Sequence, residues 1–232
     1  MKVMLLAAGK GERMQPLTNH TPKPLLQAGG KSLLEHLIQK LAAHNFTNLV
    51  INHAWLGQQL EDAFGDGSRL KVNIAWSRES EPLETAGGII NALPLLGTEP
   101  FAVVNGDIWT DYPFTHLRTL LPAQDLVHLV LVANPPHHPN GDFVLSNDGR
   151  LGLPATAGNA AATTYTYSGI AVFHPALFAG VSAKTLYPLL PLLKQAIAQQ
   201  QASGSVFHGE WLDIGTVQRL EQLDQQLKAN HS

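Results

Sequence analysis

The fold is indicated most clearly by the segment Leu6-Ala7-Ala8-Gly9-Lys10-Gly11-Glu12-Arg13-Met14, which is followed by Pro16-Leu17-Thr18 and Pro22-Lys23-Pro24-Leu25. The nearly continuous apolar run from Val3 to Ala8 is typical of a strand buried on both faces of a parallel sheet. The two glycines that follow allow a tight turn whose backbone N–H groups can face an anion. The pattern predicts a buried strand followed by an anion-binding loop.

Two cations accompany this loop. Arg13 carries a planar guanidinium whose donors suit phosphate oxygens. Lys23 lies between Pro22 and Pro24, which fix φ and disfavour helix, so we expect its ammonium on a stiff extended segment. The glycines and the two cations together indicate a site for a polyphosphate.

Two other glycine-loop motifs do not fit the sequence. A Walker loop needs Gly-x4-Gly-Lys-Ser/Thr, which is absent. A dinucleotide fingerprint needs a third glycine where Met14 stands and an acidic residue at the end of the next strand, which instead reads Val50-Ile51-Asn52-His53. The polyphosphate site is therefore of another kind.

Composition places the chain among ordinary soluble α/β proteins. It has 232 residues, of which 44% are hydrophobic and 14% charged, and this length fits one domain with a single large core. The net charge of −3 argues against a general nucleic-acid binder, and the lack of cysteine excludes disulfides and thiolate metal sites. The first apolar run is too short for a signal peptide, so we expect a cytoplasmic location without membrane attachment.

Hydrophobic periodicity predicts alternating strands and helices up to about residue 134. This order predicts an α/β fold with a three-layer, Rossmann-like and mostly parallel sheet. The expected elements are helix 32–44, strand 48–52, helix 56–64, strand 70–76, a helix from Ala86 towards Leu95 capped by Thr85, and strands 101–105 and 126–133.

The pattern changes after residue 135. A loop at 135–141 is followed by a strand at 143–145 with a hairpin turn at 147–149, and residues 152–163 are small and predict a mobile loop. Strand 164–173, helix 186–200 and helix 216–229 complete the prediction. We expect a single domain, in which residues 1–134 form a nucleotide-binding half, 135–210 an appended lobe, and 211–232 a second acidic motif with the last helix.

The N-terminal string resembles that of the sugar-1-phosphate nucleotidyltransferases. The resemblance continues through Asn105-Gly106-Asp107 to Trp211-Leu212-Asp213-Ile214-Gly215, in the family's order. It implies attack by a sugar 1-phosphate oxygen on the α-phosphorus of a nucleoside triphosphate, with release of pyrophosphate. It also implies that the appended lobe binds the sugar.

Three further segments resemble the branch of this family that transfers a uridylyl group to an amino-sugar 1-phosphate in bacterial cell-wall recycling. These segments are Ile51-Asn52-His53-Ala54-Trp55-Leu56-Gly57, Leu83-Glu84-Thr85-Ala86-Gly87-Gly88-Ile89 and Asn105-Gly106-Asp107-Ile108-Trp109-Thr110-Asp111.

Two aspartates are the candidate metal ligands. Asp107 follows a buried strand and a glycine, so it is expected at the carboxyl end of that strand, where open α/β sheets bind ligands. Asp213 precedes a predicted helix, but its separation from Asp107 does not show that the two meet. The resemblance implies that they share a Mg²⁺, an ion that accepts few carboxylates and bridges substrate phosphates.

The resemblance also assigns the other site residues. Arg13 would hold the β- and γ-phosphates, and Lys23 would contact the α-phosphate and the attacking phosphate, so that Arg13, Lys23, Asp107 and Asp213 carry the catalysis. The nucleotide would be bound by Leu6, Ala7, Ala8, Gly9, Gly11, Arg13, Lys23, Asn52, Glu84, Thr85, Gly87, Gly88 and Asp107. The sugar would be bound by Asn105, Gly141, Ser168 and Gly169.

The chain departs from the family pattern at several points. Glu84 stands where many relatives carry glycine, which leaves both a base-side and a ribose-side role open for it. The Glu-Lys-Pro motif of many relatives is missing, and residues 154–163 contain no lysine, so a second phosphate-binding lysine has no counterpart there. His137 and His138 are expected on a solvated surface, because their loop offers no acidic partner for a metal site.

Three alternatives remain open at this point. The chain could be a glycosyltransferase, as Asp107-Ile108-Trp109-Thr110-Asp111 would allow, although such an enzyme has no use for Arg13 and Lys23. It could be a silent nucleotide sensor, although that should lack an aspartate or the lysine. It could also be a guanylyl- or thymidylyltransferase for a hexose 1-phosphate. In the leading hypothesis it acts as a monomer on small-molecule substrates.

Overall fold

A mixed nine-stranded sheet forms the centre of the fold, with two short two-stranded ribbons beside it. The computed structural model describes residues 1–154 and 163–229. The strands are β1 (Val3–Leu6), β2 (Gln27–Ala28), β3 (Lys31–Ser32), β4 (Asn48–His53), β5 (Asn73–Arg78), β6 (Phe101–Asn105), β7 (Ile108–Thr110), β8 (Val127–Val132), β9 (Phe143–Leu145), β10 (Leu151–Gly152), β11 (Thr164–Phe173), β12 (Ala202–Val206) and β13 (Trp211–Asp213). The helices are α1 (Leu33–Ala43), α2 (Gly57–Phe64), α3 (Glu84–Leu96), α4 (Leu190–Ala198) and α5 (Val217–Ala229).

The sheet is mostly parallel, as the sequence predicts. Strands β6, β1, β4 and β5 lie side by side in parallel, and β8 and β12 form a further parallel pair. The long strand β11 runs antiparallel between β6 and β8 and joins these two parts. The carboxyl ends of β1, β4 and β6 therefore lie at one edge, and the sequence motifs follow these ends.

Helices cover both faces of the sheet. Successive residues of β1 alternate between two cores, with Met4 packing on the side of α3 and α4, and Val3 and Leu5 on the side of α1 and α2. These three residues are fully buried, and burying such side chains contributes about 1.5–3 kcal/mol each. The three-layer prediction is confirmed.

A third, smaller core joins the two ends of the chain. Met14 and Leu26 of the N-terminal loop region pack there with Leu220 and Leu223 of α5. The Gly29 N–H also donates to Asp224 Oδ1 on α5 at 2.9 Å. Helix α5 thus supports the segment that carries the glycine loop.

Four local predictions differ from the structure. Lys23–Leu25 forms a 3-10 turn and not an extended segment, because Pro24 lies at a first-turn position where its missing N–H is not needed. Residues Ser68–Leu70 also form a 3-10 turn, so β5 begins at Asn73 and not at residue 70. Helix α4 is shorter than predicted, because Pro191 is tolerated only in a first turn.

The fourth difference concerns the start of α3. The helix begins at Glu84, and Thr85 lies within its first turn and is not the cap. The predicted mobile loop at 152–163 falls largely on residues 155–162, which lie outside the described residues. Within the described ranges, none of the helices is both long and apolar enough to cross a membrane.

Candidate active site

Asp107 lines three cavities, of about 880, 320 and 340 Å³. It follows β6 at the edge where the parallel strands end. The Gly106 N–H before it donates to Leu6 O of β1 at 2.8 Å, and a Cβ at position 106 would lie 2.6 Å from that oxygen. Only glycine permits this approach of the two strand ends, which fixes the position of Asp107.

The largest cavity is lined by the glycine loop and its cations, including Gly9, Gly11, Arg13 and Lys23. Gly11 adopts a left-handed φ of 65°, and its carbonyl accepts hydrogen bonds from the Met14 N–H at 2.8 Å and the Thr18 hydroxyl at 2.9 Å. The loop is therefore held in one shape by its own backbone. It presents a concave, basic surface that suits a chain of phosphates.

Lys23 is 8% exposed, and its Nζ lies 2.5 Å from Asp107 Oδ2. This ion pair joins the loop to the strand end. Lys23 lines both the 880 Å³ and the 320 Å³ cavity. Its ammonium is thus placed where two anionic groups held in neighbouring cavities would approach one another.

The 320 Å³ cavity lies over the strand ends. It is lined by Leu6, Ala7, Ala8, Gly9, Lys23, Asn52, Glu84, Thr85, Asn105 and Asp107, among others. Asn52 Oδ1 accepts from the Ala7 N–H at 2.9 Å, and its Nδ2 donates to Glu79 Oε1 at 2.7 Å. The side chain of Asn52 is therefore locked against the first strand.

Glu79 is a site residue that the sequence reasoning missed. It is buried, lines the same cavity, and its second oxygen accepts from the Leu83 N–H at 3.1 Å. Burial raises the pKa of its carboxyl above the ordinary value. In the sequence, Glu79 is simply an acidic residue directly after a strand. An exposed acidic residue would have the same pattern.

Glu84 adopts a left-handed backbone, with φ of 64°. Glycine takes this conformation readily, whereas a residue with a side chain is strained in it. Gly87 and Gly88 are buried in α3 and do not line the cavity in the described chain. Gly87 donates its N–H to Tyr187 O at 3.0 Å, and Gly88 packs against Asn52 and Glu79.

The 340 Å³ cavity is lined largely by residues after position 134. Its lining includes Arg13, Asn105, Asp107, His137, His138, Ser168, Trp211 and Asp213. The Ser168 hydroxyl donates to Val130 O at 2.7 Å, and Trp211 Nε1 donates to Ser168 O at 2.8 Å. Gly141 and Gly169 lie outside this lining, with Gly169 packed against Asn105 and Gly141 against Asn134.

His137 and His138 line this cavity although each is about half-exposed. His138 Nε2 lies 2.9 Å from Asp142 Oδ1, and Asp142 Oδ2 accepts from the Tyr167 N–H at 2.8 Å. His137 Nε2 lies 2.9 Å from Asp213 Oδ1. Both histidines therefore have an acidic partner from outside the loop at 135–141, and their exposure agrees with the surface position expected of them.

Backbone pairing brings the two candidate metal aspartates to the same place. Strand β13 pairs antiparallel with β7, so that Asp213 lies opposite Ile108, and the Ile214 N–H donates to Asp107 O at 2.8 Å. Both carboxylates line the 340 Å³ cavity. Such a pairing between distant segments has no signal in the sequence.

The donor set at this place is small. Asp107 is paired with Lys23, and Asp213 Oδ1 is bound by Arg219 and His137. No group of three or more metal-ligating side chains occurs within residues 1–154 and 163–229. Two carboxylates without further protein ligands fit Mg²⁺, which keeps waters and binds substrate phosphates.

Comparison with solved structures shows the same fold in HddC from Yersinia pseudotuberculosis, complexed with GMP-PN. The TM-score is 0.80 at 19% identity, over 98% of this chain and 99% of that one. This likeness shows that the chain has the same α/β fold with a mostly parallel central sheet. A family model described as nucleotidyl transferase matches residues 2–230, and the chain belongs to this family.

Two relatives cover nearly the whole chain. The N-acetylmuramate alpha-1-phosphate uridylyltransferase of Neisseria meningitidis is 50% identical over 226 residues, or 96% of each chain. The protein of the same name from Caulobacter vibrioides is 32% identical, over 93% of this chain and 92% of its own.

Proposed function

We propose that the chain transfers UMP from UTP to N-acetylmuramic acid α-1-phosphate, which gives UDP-N-acetylmuramic acid and pyrophosphate in peptidoglycan recycling. One observation carries the reaction type: Asp107 lines three cavities, one with the basic glycine loop, one over the strand ends and one on the side of the appended lobe. The triphosphate, its nucleoside and the acceptor sugar phosphate would meet there. The names of the two relatives support the choice of substrates.

The chemistry requires little proton transfer from side chains. The second pKa of a phosphate monoester is about 6, so the acceptor is already largely ionised at neutral pH. The barrier lies in bringing two anions together in line and in stabilising the charge on the departing pyrophosphate. Lys23 would neutralise the approaching phosphates, and Arg13 would hold the β- and γ-phosphates that leave.

Asp107 and Asp213 are the residues that would hold Mg²⁺. When bound, the ion would supply positive charge to the phosphate oxygens at the point where the cavities adjoin. Lys23 and Arg219 form ion pairs with these two carboxylates.

We further propose that residues 1–134 form the nucleotide-binding half and 135–210 the sugar-binding lobe. The enzyme would act in the cytoplasm as a monomer, on small molecules and without nucleic-acid or membrane partners. The acceptor pocket should offer space and a donor to the lactyl carboxylate of muramic acid. A site built for that group should use N-acetylglucosamine 1-phosphate much less well.

The test is pyrophosphate release from UTP, GTP and dTTP, each with N-acetylmuramic acid, N-acetylglucosamine, glucose and mannose 1-phosphates. We expect the highest kcat/KM for UTP with the muramic acid compound. Preference for a plain hexose 1-phosphate would overturn the proposed acceptor, and preference for GTP or dTTP the proposed donor. Failure to release pyrophosphate from any pair would exclude the reaction itself.

A further inference from the structure

Arg219 is a largely buried cation beside Asp213, outside the sequence motifs quoted above. It lies in the first turn of α5, and its side chain is 17% exposed. Its Nη1 donates to Asp213 Oδ1 and lies 2.7 Å from His137 Nε2. Its Nε lies 3.4 Å from the Thr216 hydroxyl oxygen.

The other end of this guanidinium lies against Gly215. A Cβ at position 215 would be 2.6 Å from Nη2 of Arg219, 3.3 Å from Nη2 of Arg13 and 3.1 Å from Asp213 Oδ2. The missing side chain of Gly215 therefore lets two guanidinium groups approach one point. Gly215 and Arg13 both line the 880 Å³ cavity together with the glycine loop.

The carboxylate of Asp213 lies at the same point and offsets part of the repulsion between the two guanidinium groups. Among the described residues, the side-chain hydrogen bonds of Arg219 use Nε and Nη1, which leaves Nη2 for another acceptor. Among residues 1–154 and 163–229, no hydrogen bond or ion pair engages the Arg13 guanidinium. Guanidinium groups with free N–H donors are well suited to bind phosphate oxygens.

We propose that Arg13 and Arg219 together bind one phosphate group across Gly215, and that Arg219 is a phosphate-binding residue of this enzyme. Arg219 thereby supplies the second cation that residues 154–163 lack. The proposal rests on the proposed function only for the phosphate compounds concerned, which are the triphosphate and the sugar 1-phosphate. The alternative role is structural, in which Arg219 acts only by holding Asp213.

The test is equilibrium binding by calorimetry in EDTA, where there is no turnover. Its ligands are pyrophosphate, UTP, N-acetylmuramic acid α-1-phosphate and uridine. We expect Arg219→Gln to weaken binding of a phosphate ligand by about 10- to 100-fold and to leave uridine unchanged. If pyrophosphate and UTP bind more weakly, the two arginines bind a phosphate of the nucleoside triphosphate. If only the sugar 1-phosphate binds more weakly, they bind the phosphate of the acceptor. Unchanged binding of all of them overturns the proposal.

A double-mutant cycle separates the two roles. In an Asp213→Asn background, a direct phosphate contact predicts that Arg219→Gln still weakens binding, whereas no further effect there overturns the proposal in favour of the structural role. Gln218→Ala, an exposed neighbour on the same helix turn, is the matched control and should bind like the wild type. Thermal unfolding checks the fold, and Arg219→Lys should recover part of the lost affinity because it keeps the charge.

This experiment does not depend on the substrates proposed above. If the wild type fails to convert UTP and the muramic acid compound, the proposed function fails, but an effect of Arg219→Gln on pyrophosphate binding stands. If turnover is normal and Arg219→Gln binds every phosphate ligand normally, only the proposed phosphate contact of Arg219 is overturned.

Discussion

The glycine-loop side and the β13 side of the site are built by different means. On the glycine-loop side, backbone geometry sets the shape, as in the left-handed φ of Gly11 and the contact of Gly106 with Leu6 O. On the β13 side, side chains hold one another, as in the group formed by Asp213, Arg219 and His137. A shape that the backbone fixes is encoded by short sequence motifs. A network of side chains depends on residues that are far apart in the sequence.

The largest effect should come from the two aspartates, which stand one on each side. Asp107→Asn and Asp213→Asn each remove a negative charge that would face Mg²⁺, so we expect kcat to fall at least about a hundredfold. The measurement is pyrophosphate release at saturating Mg²⁺, with circular dichroism to verify the fold. Asp111→Asn, an exposed carboxylate on the same segment, is the control and should keep its rate.

The two variants should differ in stability. Asp107→Asn leaves the ammonium of Lys23, only 8% exposed, without its partner, whereas Arg219 beside Asp213 keeps its contact with His137. We therefore expect the lower melting temperature for Asp107→Asn. Near-normal turnover by either variant would contradict the shared-metal assignment.

The next largest effects should separate the two cations of the loop. Lys23→Ala should lower kcat by about a hundredfold with a smaller change in KM, because its charge matters most as donor and acceptor phosphates approach. Arg13→Ala should raise the KM for UTP and lower kcat, each about tenfold, because it would hold the phosphates in both states. Lys31→Ala, an exposed lysine, serves as control. If Lys23→Ala changed only the KM for UTP, Lys23 would have a simple binding role.

Alanine substitutions at Gly106 and Gly215 test this difference between backbone and side-chain contacts directly. A Cβ at 106 would meet the carbonyl oxygen of Leu6, which cannot move cheaply, so we expect Gly106→Ala to lose about 1–3 kcal/mol of unfolding free energy. A Cβ at 215 would meet the ends of arginine side chains, which can shift. Gly215→Ala should therefore lose less than about 1 kcal/mol but raise the KM for a phosphate substrate a few-fold. Urea unfolding and steady-state kinetics measure both, and the opposite order of stabilities would contradict the comparison.

The smallest effect should be at Glu84, where backbone and side chain can be separated. Glu84→Gly relieves the left-handed strain and should leave stability unchanged or raise it by up to about 1 kcal/mol, whereas Glu84→Ala keeps the strain and should not gain. If the carboxylate contacts the nucleotide, both variants should raise the KM for UTP by a similar factor of about three to ten. A gain in stability by the alanine variant would show that the backbone is not strained.

The difference between local backbone motifs and contacts of distant side chains also explains how much could be predicted from the sequence. The alternation of elements, the glycine loop and the strand-end position of Asp107 follow from local periodicity and turn chemistry. The meeting of Asp213 with Asp107 depends on the pairing of β13 with β7, which joins segments about a hundred residues apart. Glu79 was missed because a charged residue directly after a strand has the same sequence signal whether it faces solvent or a cavity. The ion pair of Arg219 with Asp213 likewise has no signal in the sequence.

The third core has a consequence for the order in which the molecule is completed. Met14 and Leu26 are synthesised about 200 residues before their apolar partners Leu220 and Leu223. The bond from Gly29 to Asp224 spans 195 positions. The nascent chain therefore carries the glycine loop with its supporting face uncovered until α5 has been made. If the loop binds the nucleotide as proposed, a ribosome-bound fragment that stops before residue 214 should bind no nucleotide.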